Sequence, residues 1–143
     1  MDINKKELYF KCLEAVNKRI EKYQSEMDNI KESMEANDIK TDYDEDNKGQ
    51  LLGEFEQYAG YLSDSREMKE KLQEIDQEHY SQKINFGSIV ETDRNYYFIS
   101  VPLGKIVMED GSTVYAISTE APIYQAMKGK DVGEKFAING EEH

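Results

Sequence analysis

Eight apolar residues near the start of the chain fall at spacings that suit one kind of local structure. Tyr9, Leu13, Val16, Ile20, Tyr23, Met27, Ile30 and Met34 are separated by alternating steps of 4 and 3. This repeat places all eight on one stripe of an α-helix, whereas a strand of period two would scatter them over both faces. Glu, Lys, Asn and Asp fill most of the positions between, and no Pro or Gly interrupts. One long helix is expected, burying a narrow seam and keeping the rest of its surface in water.

A narrow seam needs a partner, and the second segment supplies one. From Gly49 to Tyr80 it carries Leu51, Phe55, Tyr58, Leu62, Leu72 and Ile75. Its register reads as shifting near Tyr61 and Leu62, with Met68 one place off the repeat. Antiparallel helices meet at residues whose numbers have a constant sum. Met34 with Leu51, Ile30 with Phe55, Met27 with Tyr58, Tyr23 with Leu62, Ile20 with Ser65 and Leu13 with Leu72 all sum to 85. The hairpin is therefore centred between Asp42 and Tyr43. At about 1.5 Å per residue the arm is on the order of 40 Å long. Gly53 and Gly60 each weaken the second helix by roughly 1 kcal/mol relative to Ala, marking looseness close to the turn.

The hairpin centre lies in the most acidic run of the chain. Thr41 to Gly49 holds four carboxylates, Asp42, Asp44, Glu45 and Asp46. Most such runs are solvated turns. Here the carboxylates repel one another, which rewards cation binding, and they stand at the end of a stiff rod. The run resembles the start of a helix–loop–helix calcium loop, but Asn47 stands where Gly is needed and Gly53 where a bidentate Glu is needed. Calcium binding of that kind is not expected.

After residue 80 the pattern changes to short β-branched and aromatic runs, FGSIVET, NYYFISV, GKIVME and STVYAIS, parted by turn residues. Asp110-Gly111 reads as a two-residue hairpin turn. A short helix follows, with Pro122 at its first position and Gly129 just past its end. EKFAING is another strand ending in the Asn139-Gly140 turn, and the reading leaves the final strand missing. The fold class is α+β, with residues 1–80 as an antiparallel coiled-coil hairpin and 81–143 as a small β-rich domain.

Composition limits what such a chain can do. Charged residues make up 34%, hydrophobic ones 38%, and the formal net charge is −12. That surface repels nucleic-acid backbones, while leaving room for a local basic face or a partner whose docking surface is basic. Cys12 is the single cysteine, which excludes an internal disulfide and fits a reducing compartment. It reads as a half-buried small residue beside the seam. MDINKKELYF holds no apolar run, so no signal peptide is expected, nor does any stretch approach membrane-spanning length; the expected location is the cytoplasm. His79 and His143 lack zinc-ligand spacing. GKDVGEK is no phosphate loop, and Ser65 lies on the seam rather than on a prosthetic arm. No paired acid and base or nucleophile constellation suggests an enzyme.

The order of parts resembles the Gre transcript-cleavage factors of bacterial RNA polymerase, closest to the short Gre-like proteins. FGSIV resembles the family's Phe-Gly-Ser/Ala-x-Val strand. Ile117, Ser118, Pro122, Ile123, Ala126, Gly129, Lys130 and Gly133 match a family segment through the short helix. The resemblance implies an FK506-binding-protein-like (FKBP-like) second domain that docks on the polymerase, with Glu120, Ala121, Pro122 and Ile123 as the binding loop. It implies that the hairpin enters the secondary channel and that Asp42, Asp44, Glu45 and Asp46 help hold a Mg2+ ion shared with the polymerase. The polymerase would then cleave its own backtracked RNA, and the chain, a monomer, would meet the RNA 3′ end only indirectly. Departures are Asp46, which intervenes between Glu45 and Asn47, Ala121 in place of a capping Ser, and the missing strand. Two other readings stay open: a channel-binding inhibitor, and a coiled-coil adaptor that never meets polymerase.

Overall fold

The computed structural model describes residues 3–37, 45–77, 83–130, 137–138 and 141–142. Two helices, α1 (Lys5–Asn37) and α2 (Glu45–Gln73), precede strands β1 (Ile89–Glu91), β2 (Tyr96–Ile99), β3 (Gly104–Val107) and β4 (Thr113–Ile117). Helix α3 (Pro122–Met127) and the two-residue strands β5 (Ala137–Ile138) and β6 (Glu141–Glu142) follow. The chain gathers into two compact units, Val16–Lys69, and Met1–Ala15 with Glu70–His143. The expected boundary between residues 80 and 81 lies outside the described residues. No helix among the described residues is long and apolar enough to cross a membrane.

Helix α1 starts a turn before the seam because Asn4 caps it. The Asn4 side-chain oxygen accepts the Glu7 N–H (3.0 Å), and its carbonyl accepts that of Leu8 (3.0 Å). The amide cap satisfies one orphan donor, the Glu7 N–H, and an acid in the first turn suits the helix dipole. In the helical unit α1 and α2 pack against each other. The Tyr23 ring lies 5.4 Å from Tyr61 and 6.1 Å from Tyr58, centroid to centroid, within a turn of the expected partner Leu62. Ile30 and Leu62 are buried, while Met27, Phe55 and Tyr58 are half-buried, so the seam is only partly dry.

The second helix keeps its register. Leu51, Phe55, Tyr58, Leu62, Ser65, Lys69 and Leu72 continue the alternation of 4 and 3, and every one is buried or half-buried. Ser65 retains 2% of its surface, whereas Tyr61 retains 41%. The expected shift near Tyr61 is corrected: Ser65, which the constant sum pairs with Ile20, and the stem of Lys69 carry the seam onward in register.

The four-stranded sheet has the order β1-β2-β4-β3, with β2 and β4 parallel and the outer pairs antiparallel. Thr92 closes the β1–β2 turn, its hydroxyl accepting the N–H groups of Arg94 (3.1 Å) and Asn95 (3.0 Å). The β3–β4 turn is not the expected two-residue one. Gly111 N–H donates to Met108 O (3.0 Å), Met108 N–H donates to Ser112 O (2.8 Å), and Gly111 has φ +90°. Glu109, Asp110 and Gly111 thus form a three-residue loop, with glycine in the left-handed position that such a loop requires.

Both faces of this sheet are buried. On one, Tyr97, Ile99 and Val90 pack with Tyr124 and Met127 of α3, and Ile117, Tyr115 and Ile123 join them. The other carries Phe98, Val114, Ala116 and Ile106, all buried. In the same compact unit the base of the helices buries Leu8, Cys12, Leu72 and Ile75. Glu7 Oε1 accepts the Glu109 N–H (3.0 Å), and a Cβ on Gly87 would lie 3.5 Å from Ile75 Cγ2. The hairpin base thus belongs to the same compact unit as the sheet and meets it at Glu109 and Gly87. Lys5, also buried there, has its ammonium pKa lowered by burial, with Asp76 pulling it back.

The end of the chain corrects a third expectation. Ala137 pairs with Glu142 and Ile138 with Glu141, antiparallel, so a short return strand does follow the Asn139-Gly140 turn, which itself lies outside the described residues. It pairs only with β5, in a sheet of its own.

Candidate functional site

The acidic run joins α1 to α2. Asp42 and Asp44 lie outside the described residues. Glu45 and Asp46 form the start of α2, and from Glu45 onward the backbone is helical. Carboxylates in a first turn are stabilised by the positive end of the helix dipole, which is a sufficient local reason for helix to begin there. This geometry also disposes of the calcium loop, since Asn47 and Gly53 both sit in helix rather than in a twelve-residue loop.

The other side of the joint adds to the negative potential. Helix α1 has no basic residue in its last turn, and Glu32 and Glu35 are exposed there. The C-terminal end of α1 therefore carries negative dipole charge that no basic side chain of its last turn offsets. Among the described residues no group of three or more His, Cys, Asp or Glu side chains could hold a metal ion. Mg2+ favours a near-ideal octahedral shell of oxygens, so carboxylates here suit a site that a partner completes.

The second candidate, Glu120 to Ile123, links β4 to α3. Ser118 organises it: its hydroxyl accepts the Glu120 N–H (3.2 Å) and its carbonyl accepts that of Ala121 (3.2 Å). Gln125 Nε2 donates to Thr119 O (2.6 Å). Ala121 is the extended N-cap with no side-chain hydrogen bond, and Pro122 takes the first helical position, where its missing N–H is harmless. Glu120 and Pro122 are exposed, whereas Ile123 packs against the α3 side of the sheet. What the loop presents outward is a charge and a proline ring; the isoleucine is used mainly in the core. Gly129, φ +74°, ends the helix as expected, and its N–H donates to Ile84 O (3.0 Å).

Cys12 is fully buried rather than half-buried, and burial pushes its thiol up to about 12. Such a thiol is inert at neutral pH. His79 and His143 lie outside the described residues. Sequence reasoning missed one feature, a cluster of three tyrosine rings, Tyr23, Tyr58 and Tyr61, with centroids 5.4–6.1 Å apart. Its signal was present in the numbering, since Tyr23 and Tyr61 sum to 84, one short of the seam constant.

No protein-family model, curated protein or solved structure matches this chain.

Proposed function

We propose that the chain is a Gre-like transcription elongation factor, binding bacterial RNA polymerase in the cytoplasm as a monomer. One observation carries this reading: the chain's densest run of carboxylates is the connection between two long packed helices, followed by a small α+β unit. A rod of this kind can carry negative charge into a narrow channel. Asp42 and Glu45, supported by Asp44 or Asp46, would be ligands of a Mg2+ ion shared with the polymerase, which would supply Lewis-acid chemistry at the RNA phosphate. The chain is not itself an enzyme in this reading. A sheet with a short helix on one face supports an FKBP-like second unit, and exposed Glu120 and Pro122 support docking through that loop.

A second reading, a channel-binding inhibitor, is favoured by Asp46. It intervenes before Asn47, and the helical backbone begins within the ligand set, which changes the spacing of the carboxylates. A ligand set displaced by a fraction of an ångström would bind the channel without positioning the metal.

The test is RNA cleavage by a stalled, backtracked polymerase with and without the protein. Asp42→Asn with Glu45→Gln should abolish stimulation while leaving polymerase binding intact. Binding without any stimulation by the wild type selects the inhibitor. Absence of binding leaves the adaptor, and Glu120→Lys should weaken whatever binding is found.

A further inference from the structure

The tyrosine cluster lies wholly within the unit Val16–Lys69. Tyr23 and Tyr58 are seam residues, and their half-burial needs no further cause. Tyr61 is different. It sits off the seam, keeps 41% of its surface in solvent, and stands edge-on to Tyr58 at 85° with centroids 5.9 Å apart. Gln57 Nε2 donates to its hydroxyl (2.7 Å), which fixes the ring. An exposed, pre-oriented aromatic ring beside two others is the composition of an interface anchor rather than of a solvated helix face.

The surrounding charge says what could sit there. Glu54 lies one helical turn from Tyr58, Asp64 one turn from Tyr61 and Glu26 one turn from Tyr23. Arg19 is the one cation a turn away from any of the three rings. From Gly49 to Ser65 the chain has no Lys or Arg at all. Aromatic faces flanked by carboxylates favour a guanidinium, which can stack on a ring while donating to an acid.

We propose that the face formed by Tyr23, Tyr58 and Tyr61 is a docking site for an arginine-bearing segment of a partner protein. The exposed ring takes the guanidinium plane, and Glu54 and Asp64 accept its N–H groups. Such a segment fits this face whether or not its owner is a polymerase, so the site stands apart from the chemistry assigned to the acidic joint.

The test uses the full chain and two synthetic peptides, a Gly-Arg repeat and a Gly-Lys repeat of equal length and charge. Binding is followed through the tyrosine ring resonances. The arginine peptide should shift Tyr23, Tyr58 and Tyr61 ahead of the other tyrosines and bind about threefold tighter than the lysine peptide. Tyr61→Ala should weaken it about fivefold, while Tyr61→Phe, which keeps the ring, should retain most of the affinity. Glu54→Gln should weaken it with helicity unchanged by circular dichroism. Equal binding of both peptides, insensitive to Tyr61→Ala, would reduce the face to general acidic attraction and overturn the proposal. Self-association that depends on Tyr61 and needs no peptide would overturn it too, making a second copy the occupant.

Discussion

The two compact units solve the same problem with different amounts of buried surface. The helical unit rests on one stripe in which Ile30 and Leu62 are buried but Met27, Phe55 and Tyr58 stay half-open to water. The unit containing the sheet buries both faces, with Phe98, Ile99, Val101, Val114 and Met127 almost entirely enclosed. Two helices can shield only one side of each other, whereas a sheet can be covered twice. Stability should therefore be uneven along the chain, with the helical unit opening first.

Hollowing the better-packed unit should have the largest effect. Phe98→Ala removes a fully buried ring and should cost about 3–5 kcal/mol, read as a lowered urea midpoint. Ile30→Ala, at a seam with water on both sides, should cost about 2–3 kcal/mol. By hydrogen exchange the loss should concentrate in residues 16–69, with the β2 and β4 amides unchanged. Equal loss of protection at β2 would mean the units open as one.

Smaller changes sharpen the contrast by sign. At Gly60 a Cβ would meet nothing within 4 Å in a regular helix, so Gly60→Ala should stabilise by roughly 0.5–1 kcal/mol. At Gly111, φ +90°, the same substitution should destabilise by about 1 kcal/mol, because alanine resists the left-handed position. Thermal midpoints of the two variants should move in opposite directions.

Near neutral pH the smallest effect comes from Cys12. Its thiol ordinarily ionises near 9.0, and burial pushes it up to about 12. Below the lower value both folded and unfolded chains hold the proton, so stability is unaffected. Above it the unfolded chain releases the proton and the folded one does not. Stability should then fall as pH rises through the alkaline range. Urea midpoints of wild type and Cys12→Ala across that range check the sign: the alkaline loss should be smaller in the variant.

Much of the helical unit was legible because periodicity is a property of the chain itself. The eight-residue stripe from Tyr9 to Met34 needs no tertiary information. What escaped were residues whose surroundings come from elsewhere. Leu8 and Cys12 lie beside the stripe, and their full burial belongs to the unit that also holds the sheet. Lys69 holds a seam position with a polar head, so an apolar pattern skips it, whereas the constant sum had already placed Ser65 there. The β3–β4 loop took three residues rather than two because Met108 pairs with Ser112, a register that Asp110-Gly111 alone does not determine. Of the candidate site, the carboxylates were readable by position, but the onset of helix at Glu45 was not, since acidic residues suit a turn and a helix start equally.

The membership of the unit that holds the sheet bears on how the chain assembles. Val16–Lys69 is continuous in sequence, whereas the other unit draws its core from both ends of the chain, and Glu7 meets Glu109 across 102 residues. Joining such distant segments carries a loop-closure penalty. Once α1 and α2 pair, residues 15 and 70 are brought together and the loop still to be closed shortens. A hairpin that forms first would thus act as a splint, shortening the loop that the sheet's unit has left to close. If so, Ile30→Ala should slow the return of Cys12 to its protected state during refolding, although residue 30 lies outside that unit. An unchanged rate would mean the sheet assembles without the splint.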